Sequence, residues 1–277
     1  MRLHPLRTGE LLAPPGLLAR ADGRLAGLRA LGIGVPRATW TWIPVPAFLV
    51  EHPARGPVLV DTGLPGLAAT DTAAGVGRIG AGLYELRMQP EEGIGAQLRA
   101  RGVDASAIRT VVMTHLHLDH AAGMSELANA TFLADRREWA AADARTAIVN
   151  GYHRPHFAGR ARRELDLASD GVAWEGFERT LDVFEDGSLR LLWTPGHTPG
   201  HLSVALALAG RRILLTGDLA YTAATVRGET LPGLASSYPT LKRSLAQLRA
   251  HLSAHPDTLV VPGHDAETWA DLEAVYG

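Results

Sequence analysis

The sequence predicts a single α/β domain, and three patterns carry that expectation. Short apolar strands recur, each ends in a turn holding His or Asp, and amphipathic segments of helical period lie between them. Strands apolar at every position bury both faces, so the sheets they form need covering layers. The 277 residues contain no internal repeat, low-complexity tract or linker-like run, so one domain is expected over residues 1–277.

Five strand-and-turn units follow one another along the chain. Val58-Leu59-Val60 runs into Asp61-Thr62-Gly63, and Thr110 to Met113 runs into the segment His115 to His120. Leu189 to Trp193 leads to Thr194-Pro195-Gly196-His197, Ile213 to Leu215 to Thr216-Gly217-Asp218, and Thr258 to Val261 to Pro262-Gly263-His264. Helices are expected at Pro90 to Arg101, where Ile94 and Leu98 keep helical spacing behind Glu91 and Glu92 and Gly102 stops the run. Two more are expected, over the alanine-rich Asp135 to Ala147 and at Leu241 to His251, where Leu241, Leu245, Leu248 and Leu252 form one stripe. Residues 1–39 read as an N-terminal extension without clean periodicity. Thr70 to Gly82 is rich in Gly and Ala, and 150–163, with Tyr152, His153, His156 and Phe157, reads as a loop or active-site cap.

Composition narrows the function classes. An apolar fraction of 46% beside 20% charged residues is that of a soluble globular protein with a sizeable core. A net charge of -2 gives no basic field for phosphates, so a nucleic-acid partner is not expected. The apolar runs fall far short of the ~20 residues that span a bilayer, so no membrane segment is expected. Met1 to Leu18 is broken by Pro5, Gly9, Pro14 and Pro15 and lacks the apolar centre of a signal peptide; cytoplasmic residence is the default. Without cysteine there is no disulfide, thiolate ligand or cysteine nucleophile, so a metal must be held by imidazole nitrogen and carboxylate oxygen. A small-molecule substrate is expected, and a homodimer is left open.

The densest chemistry lies in Thr114-His115-Leu116-His117-Leu118-Asp119-His120. In an extended chain His115 and His117 project to one side and can reach one ion. Asp119 and His120 come where the chain turns toward a helix over Ala121 to Leu127, and so face a different ion. One histidine alone is more often a surface or hydrogen-bonded core residue. Three with a carboxylate in six positions, against an apolar strand, crowd polar groups that a metal would satisfy.

This segment resembles the HxHxDH signature of the metallo-β-lactamase superfamily. Val60-Asp61-Thr62-Gly63 is similar to the first motif of that family, Thr194 to His201 to the third, Thr216-Gly217-Asp218 to the fourth and Pro262-Gly263-His264 to the fifth, in order from roughly Trp42 onward. The resemblance implies a four-layer αβ/βα sandwich and two divalent metal ions. His115, His117 and His197 would hold the first ion, Asp119, His120 and His264 the second, and Asp218 would bridge them. Zinc is the first choice, and the N/O ligand set also accepts iron, manganese or cobalt. Asp61 is expected to accept a hydrogen bond from a ligand imidazole. His201 is expected beside His197 without ligating, and His4, His52, His153, His156, His251 and His255 read as ordinary, with His153 and His156 as candidates for pocket lining.

The family's chemistry implies a hydrolase in which a metal-bridging hydroxide attacks a carbonyl, with Asp119 passing the proton to the leaving group. Within the family, Tyr221 three residues after Asp218, and Asp265 after His264, look like the N-acyl homoserine lactonases. There the tyrosine hydroxyl contacts the lactone carbonyl, so Tyr221 is expected to donate to the developing oxyanion. Ala121-Ala122-Gly123-Met124 departs from the Gly-Gly-Asn type of sequence common at that place in lactonases. The alternatives are a thioester hydrolase in the manner of glyoxalase II, a β-lactamase-like enzyme and, further off, an iron-dependent oxidoreductase.

Overall fold

A computed structural model describes residues 1–277, the side chain of Leu83 apart. The chain divides into two compact units, each assembled from separated stretches. Met1–Leu11, Pro44–Leu165 and Leu272–Gly277 form the first, and Leu12–Ile43 and Asp166–Asp271 the second.

The first unit is built on a seven-stranded sheet. Its strands are β1 (Arg2–Ala13), β2 (Thr41–His52), β3 (Gly56–Val60), β4 (Leu86–Arg87), β5 (Thr110–Val112), β6 (Thr131–Asp135) and β7 (Ala161–Leu165), in spatial order β4-β1-β2-β3-β5-β6-β7. From β3 through β5 and β6 to β7 every pairing is parallel. Parallel neighbours end together, so the Val60↔Val112 register brings Asp61 beside the end of β5, where its N–H donates to the Val112 carbonyl at 2.8 Å. Leu59, Val111, Met113, Phe132 and Trp139 are wholly buried in this unit, and the helix Ile94–Ala100 adds Ile94 and Leu98 to them. The expected helix at Pro90 to Arg101 begins as a 3-10 turn, Pro90–Glu92. The Glu92 carboxylate accepts from the Gln89 N–H at 2.7 Å, and α geometry sets in only after Gly93.

Two stretches that the sequence leaves as extension or loop are regular. Residues 2–13 form β1, with Leu3, Leu6 and Leu11 buried; Pro5 and Gly9 interrupt the alternation that would reveal it. Within 150–163, Arg154–Phe157 is a helical turn and β7 starts at Ala161. Four of the five residues of β7 are exposed, so it has no apolar signature. Thr70 to Gly82 supplies the short helix Thr72–Val76 and most of Arg78–Leu83.

The second unit holds a six-stranded sheet of β8 (Val172–Trp174), β9 (Phe177–Asp182), β10 (Leu189–Trp193), β11 (Leu202–Leu208), β12 (Arg211–Leu215) and β13 (Leu259–Val261), ordered β13-β12-β11-β10-β9-β8. β10, β11 and β12 alternate in direction and β13 runs parallel to β12. The C-terminal ends of β10, β12 and β13 therefore share one edge of the sheet, and each leads into a polar turn that the sequence singles out. The helix Tyr238–Ala254 is capped by Ser237, whose side chain accepts from the Thr240 N–H. It buries Leu241, Leu245 and Leu248 against Phe177, Leu192, Leu214 and Leu219, with Leu252 only partly covered. It also braces the turn after β10, because the Ser244 hydroxyl donates to the Pro195 carbonyl at 2.7 Å. Gly196, at φ +137°, lies so close to Leu241 that a Cβ there would overlap the helix backbone. Among the described residues no helix is long and apolar enough to cross a membrane.

Candidate metal centre

The first unit gathers His115, His117, Asp119 and His120. His117 is the last extended residue, with φ -65° and ψ 159°, and the helical turn Leu118–Ala121 begins after it. The alternation of His115 and His117 and the turn at Asp119-His120 thus follow the sequence expectation. The ring of His115 lies 4.6 Å from that of His117 and 4.1 Å from that of His120. His115 and His120 are wholly buried, and an Asp119 oxygen is 3.7 Å from His120 Nε2.

Asp61 fixes two of these rings. Its Oδ1 accepts from the Thr114 N–H and its Oδ2 from the Thr114 hydroxyl, both at 2.7 Å, while Oδ2 lies 2.8 Å from His120 Nδ1. An ionised carboxylate can only accept, so His120 carries its proton on Nδ1 and presents the Nε2 lone pair. Thr114 has one hydroxyl proton and gives it to Asp61, so the 3.1 Å contact to His115 Nδ1 is donated by the ring. His115 is thereby held in the same tautomer. Asp61 takes a left-handed φ of +57°, a conformation costing about 1–3 kcal/mol that persists where its surroundings enforce it. Asp61→Asn tolerates that backbone but loses the charge, and zinc affinity is expected to fall roughly 10–100-fold, the usual effect of removing a partner of a ligating histidine. Zinc competition with a chromogenic chelator measures it; unchanged affinity would make Asp61 a turn residue only.

Two further supports brace this segment, of which Glu138 carries no sequence signal and Tyr152 falls in the stretch expected to form a cap. Glu138, fully buried on the helix Arg136–Asp143, accepts from the Leu116 N–H at 2.9 Å and so holds the segment between His115 and His117 extended. The ring of Tyr152 packs 5.0 Å from that of His117, and the Leu118 N–H donates to the Gly151 carbonyl at 3.2 Å. The rings of His153 and His156 meet edge to face, 4.5 Å apart. Burial, reinforced by His153, pushes His156 down to about 3, so its ring stays neutral at physiological pH.

The second unit gathers His197, Asp218, Tyr221 and His264. Asp218, 3% exposed, turns one oxygen to each ring: Oδ2 is 3.2 Å from His197 Nε2 and Oδ1 is 3.2 Å from His264 Nε2. His201 does not join them. Its Nε2 accepts the Asp218 N–H at 2.9 Å, which leaves the proton on Nδ1, facing the Thr194 carbonyl at 3.1 Å. His201 therefore positions the Asp218 backbone.

Tyr221 sits between the two rings, 5.7 Å from that of His197 and 5.3 Å from that of His264, with its hydroxyl 3.4 Å from His197 Nδ1. Its loop is stapled to the turn after β13: the Gly263 and His264 N–H groups donate to the Ala220 and Tyr221 carbonyls at 3.1 and 2.9 Å. Asp265 completes the staple. Its Oδ2 accepts from the Ala223 N–H at 2.6 Å, and its Oδ1 caps the helix Ala266–Ala270 through the Thr268 N–H at 2.8 Å.

Both groups of side chains fit divalent metal ions. A buried carboxylate with an imidazole nitrogen at each oxygen is a donor set that a divalent ion accepts, and the His115 and His120 tautomers turn Nε2 lone pairs outward from the Asp61 network. Imidazole and carboxylate without thiolate suit zinc and its first-row neighbours.

This chain belongs to the metallo-beta-lactamase superfamily, whose profile matches residues 40–264. Within it the chain groups with the N-acyl homoserine lactonases. It is 34% identical over 236 residues to N-acyl homoserine lactonase AttM of Rhizobium radiobacter, covering 83% of this chain and 85% of that one. The N-acyl homoserine lactonase of Bacillus thuringiensis is 27% identical over 226 residues, or 81% and 82% of the two chains. A solved N-acyl homoserine lactone hydrolase with N-hexanoyl-L-homoserine at its catalytic metal centre shares the fold, with a TM-score of 0.77, 23% identity and coverage of 98% and 96%. The dizinc quorum-quenching lactonase AidC does so with a TM-score of 0.59 and 15% identity, over 95% and 87%. The fold is that expected from the motif order.

Proposed function

We propose that this protein hydrolyses the lactone ring of N-acyl homoserine lactones and so degrades quorum signals. The observation that supports it best is Asp218 set between His197 and His264 with Tyr221 alongside, in a chain 34% identical to a lactonase.

In this reading His115, His117 and His197 would hold one ion, Asp119, His120 and His264 the other, and Asp218 both. Zinc is the proposed metal, and two such ions would supply Lewis acidity and a water acidic enough to ionise near neutral pH. The chain's own groups do the rest. Asp61 holds His120 and Thr114, and His201 holds the Asp218 backbone, so the ligands are oriented before substrate arrives. The Tyr221 hydroxyl donates to the oxygen that gains charge as the lactone carbonyl becomes tetrahedral. Asp119 passes a proton to the ring oxygen as the C–O bond breaks. Water is added across the ester, and the product is an N-acyl homoserine whose carboxyl group ionises and releases a proton. Cytoplasmic residence belongs to the same proposal, and a homodimer is compatible with it.

Proton release tests the substrate class. N-hexanoyl homoserine lactone, a glutathione thioester and a chromogenic cephalosporin are offered in parallel to the zinc-loaded protein. Turnover is expected on the lactone; turnover confined to the thioester or the cephalosporin would replace the proposal with the corresponding hydrolase.

A further inference from the structure

A second cluster of metal-ligating side chains lies wholly within the second unit. His251 and His255 stand one helical turn apart at the end of Tyr238–Ala254, and the helical bond between them is intact, with the His255 N–H donating to the His251 carbonyl at 2.9 Å. Residues four apart on a helix share a face, so both rings address the same space. Glu175 meets them from the two-residue turn between β8 and β9. Its Oε2 is 3.2 Å from His255 Nε2 and 3.8 Å from His251 Nδ1. One donor atom from each residue lies within 4.8 Å of the other two.

We propose that Glu175, His251 and His255 bind a divalent first-row metal ion, with zinc as the probe. Two imidazoles and one carboxylate are a zinc ligand set, with a fourth position for water. A helical His pair spaced by four residues brings two of the three ligands together before the ion arrives. Burial pushes His251 below the ordinary imidazole range, so at neutral pH its ring is uncharged. His251 Nδ1 now donates to the Glu175 carbonyl at 2.9 Å; moving the single ring proton to Nε2 gives the other neutral tautomer, whose Nδ1 lone pair can take the ion. A cavity of about 220 Å³ lined by Trp174, Glu175, Arg212 and His251 gives ion and water a way in.

The turn itself points the same way. Glu175 has φ +44° and Gly176 φ +94°, the left-handed pair of a tight hairpin whose first position favours Asn, Asp or Gly. A glutamate there keeps a long carboxylate over the helix end at a backbone cost that a shorter residue would avoid. Arg212 holds the same Oε2 at 2.6 Å, and at half exposure it can give way to an ion. The cluster lies beside the β8–β9 turn, at the end of the helix remote from the Ser244 contact with the metal-centre turn, so the ion would clamp this turn to the helix and leave catalysis alone.

Equilibrium dialysis of the whole protein against excess free zinc, followed by metal analysis, tests this. His255 is about a quarter exposed at the helix end, so His255→Ala spares the core. Wild type is expected to hold one zinc per chain more than His255→Ala, with equal lactone turnover, and Glu175→Gln to lose the same zinc while leaving both histidines in place. Equal zinc content in wild type and both variants would overturn the proposal. The reading is a difference between chains, so it stands apart from the number of ions at the lactonase centre and from any failure on lactones.

Discussion

Asp218→Ala is expected to lower turnover of N-hexanoyl homoserine lactone by roughly a thousandfold or more, because the proposed shared ligand supports both the Lewis acid and the acidic water of the reaction. Asp218 offers one oxygen to His197 and the other to His264, each at 3.2 Å. Its burial sharpens the effect. At 3% exposure the alanine variant leaves two inward-facing rings with a void between them, and solvent supplies no equivalent anion. Zinc content is expected to fall with activity, and the two are measured on the same preparation. Full turnover in the variant would remove Asp218 from the chemistry.

Tyr221→Phe is expected to cost turnover about 10²–10³-fold, the effect of deleting one donor to a developing oxyanion, with KM nearly unchanged. The hydroxyl is only 4% exposed with its residue, yet its contact to His197 Nδ1 is 3.4 Å, a weak bond that a substrate oxygen can replace. The contact also suggests a competing role, holding the His197 ring. A ring-holding role would lower zinc affinity together with turnover, whereas the oxyanion role leaves zinc content at the wild-type level. Intact zinc with reduced kcat is the expected pair of results; unchanged kcat would take Tyr221 out of the mechanism.

The parts of this protein visible in its sequence are those where short range and long range agree. An apolar run followed at once by a polar turn is a local signal, and in β5, β10, β12 and β13 the turn lies at the strand's C-terminal end. The His115 to His120 segment is legible because six consecutive residues contain all the ligands proposed for the first unit. Tyr221 is legible through its distance from Asp218, and Asp61 through its place after β3. What escapes has its cause in tertiary contact. β1 is interrupted by Pro5 and Gly9, and β7 exposes its charged residues, so neither carries an apolar alternation. Glu138 looks like any charged residue of an alanine-rich helix until its carboxylate meets the Leu116 N–H. Asp265 is marked by its position after His264, but its part in pinning Ala223 depends on a partner 42 residues away. His251 and His255 read as ordinary because the carboxylate that gives them a meaning, Glu175, comes from a hairpin 76 residues earlier than His251.

The most direct test is lactone turnover by metal-stripped His255→Ala protein as zinc is returned in measured equivalents. Turnover of N-hexanoyl homoserine lactone is expected to be absent without metal and to reach its plateau at two ions per chain. A plateau at one ion, or full turnover with none, would contradict the binuclear centre.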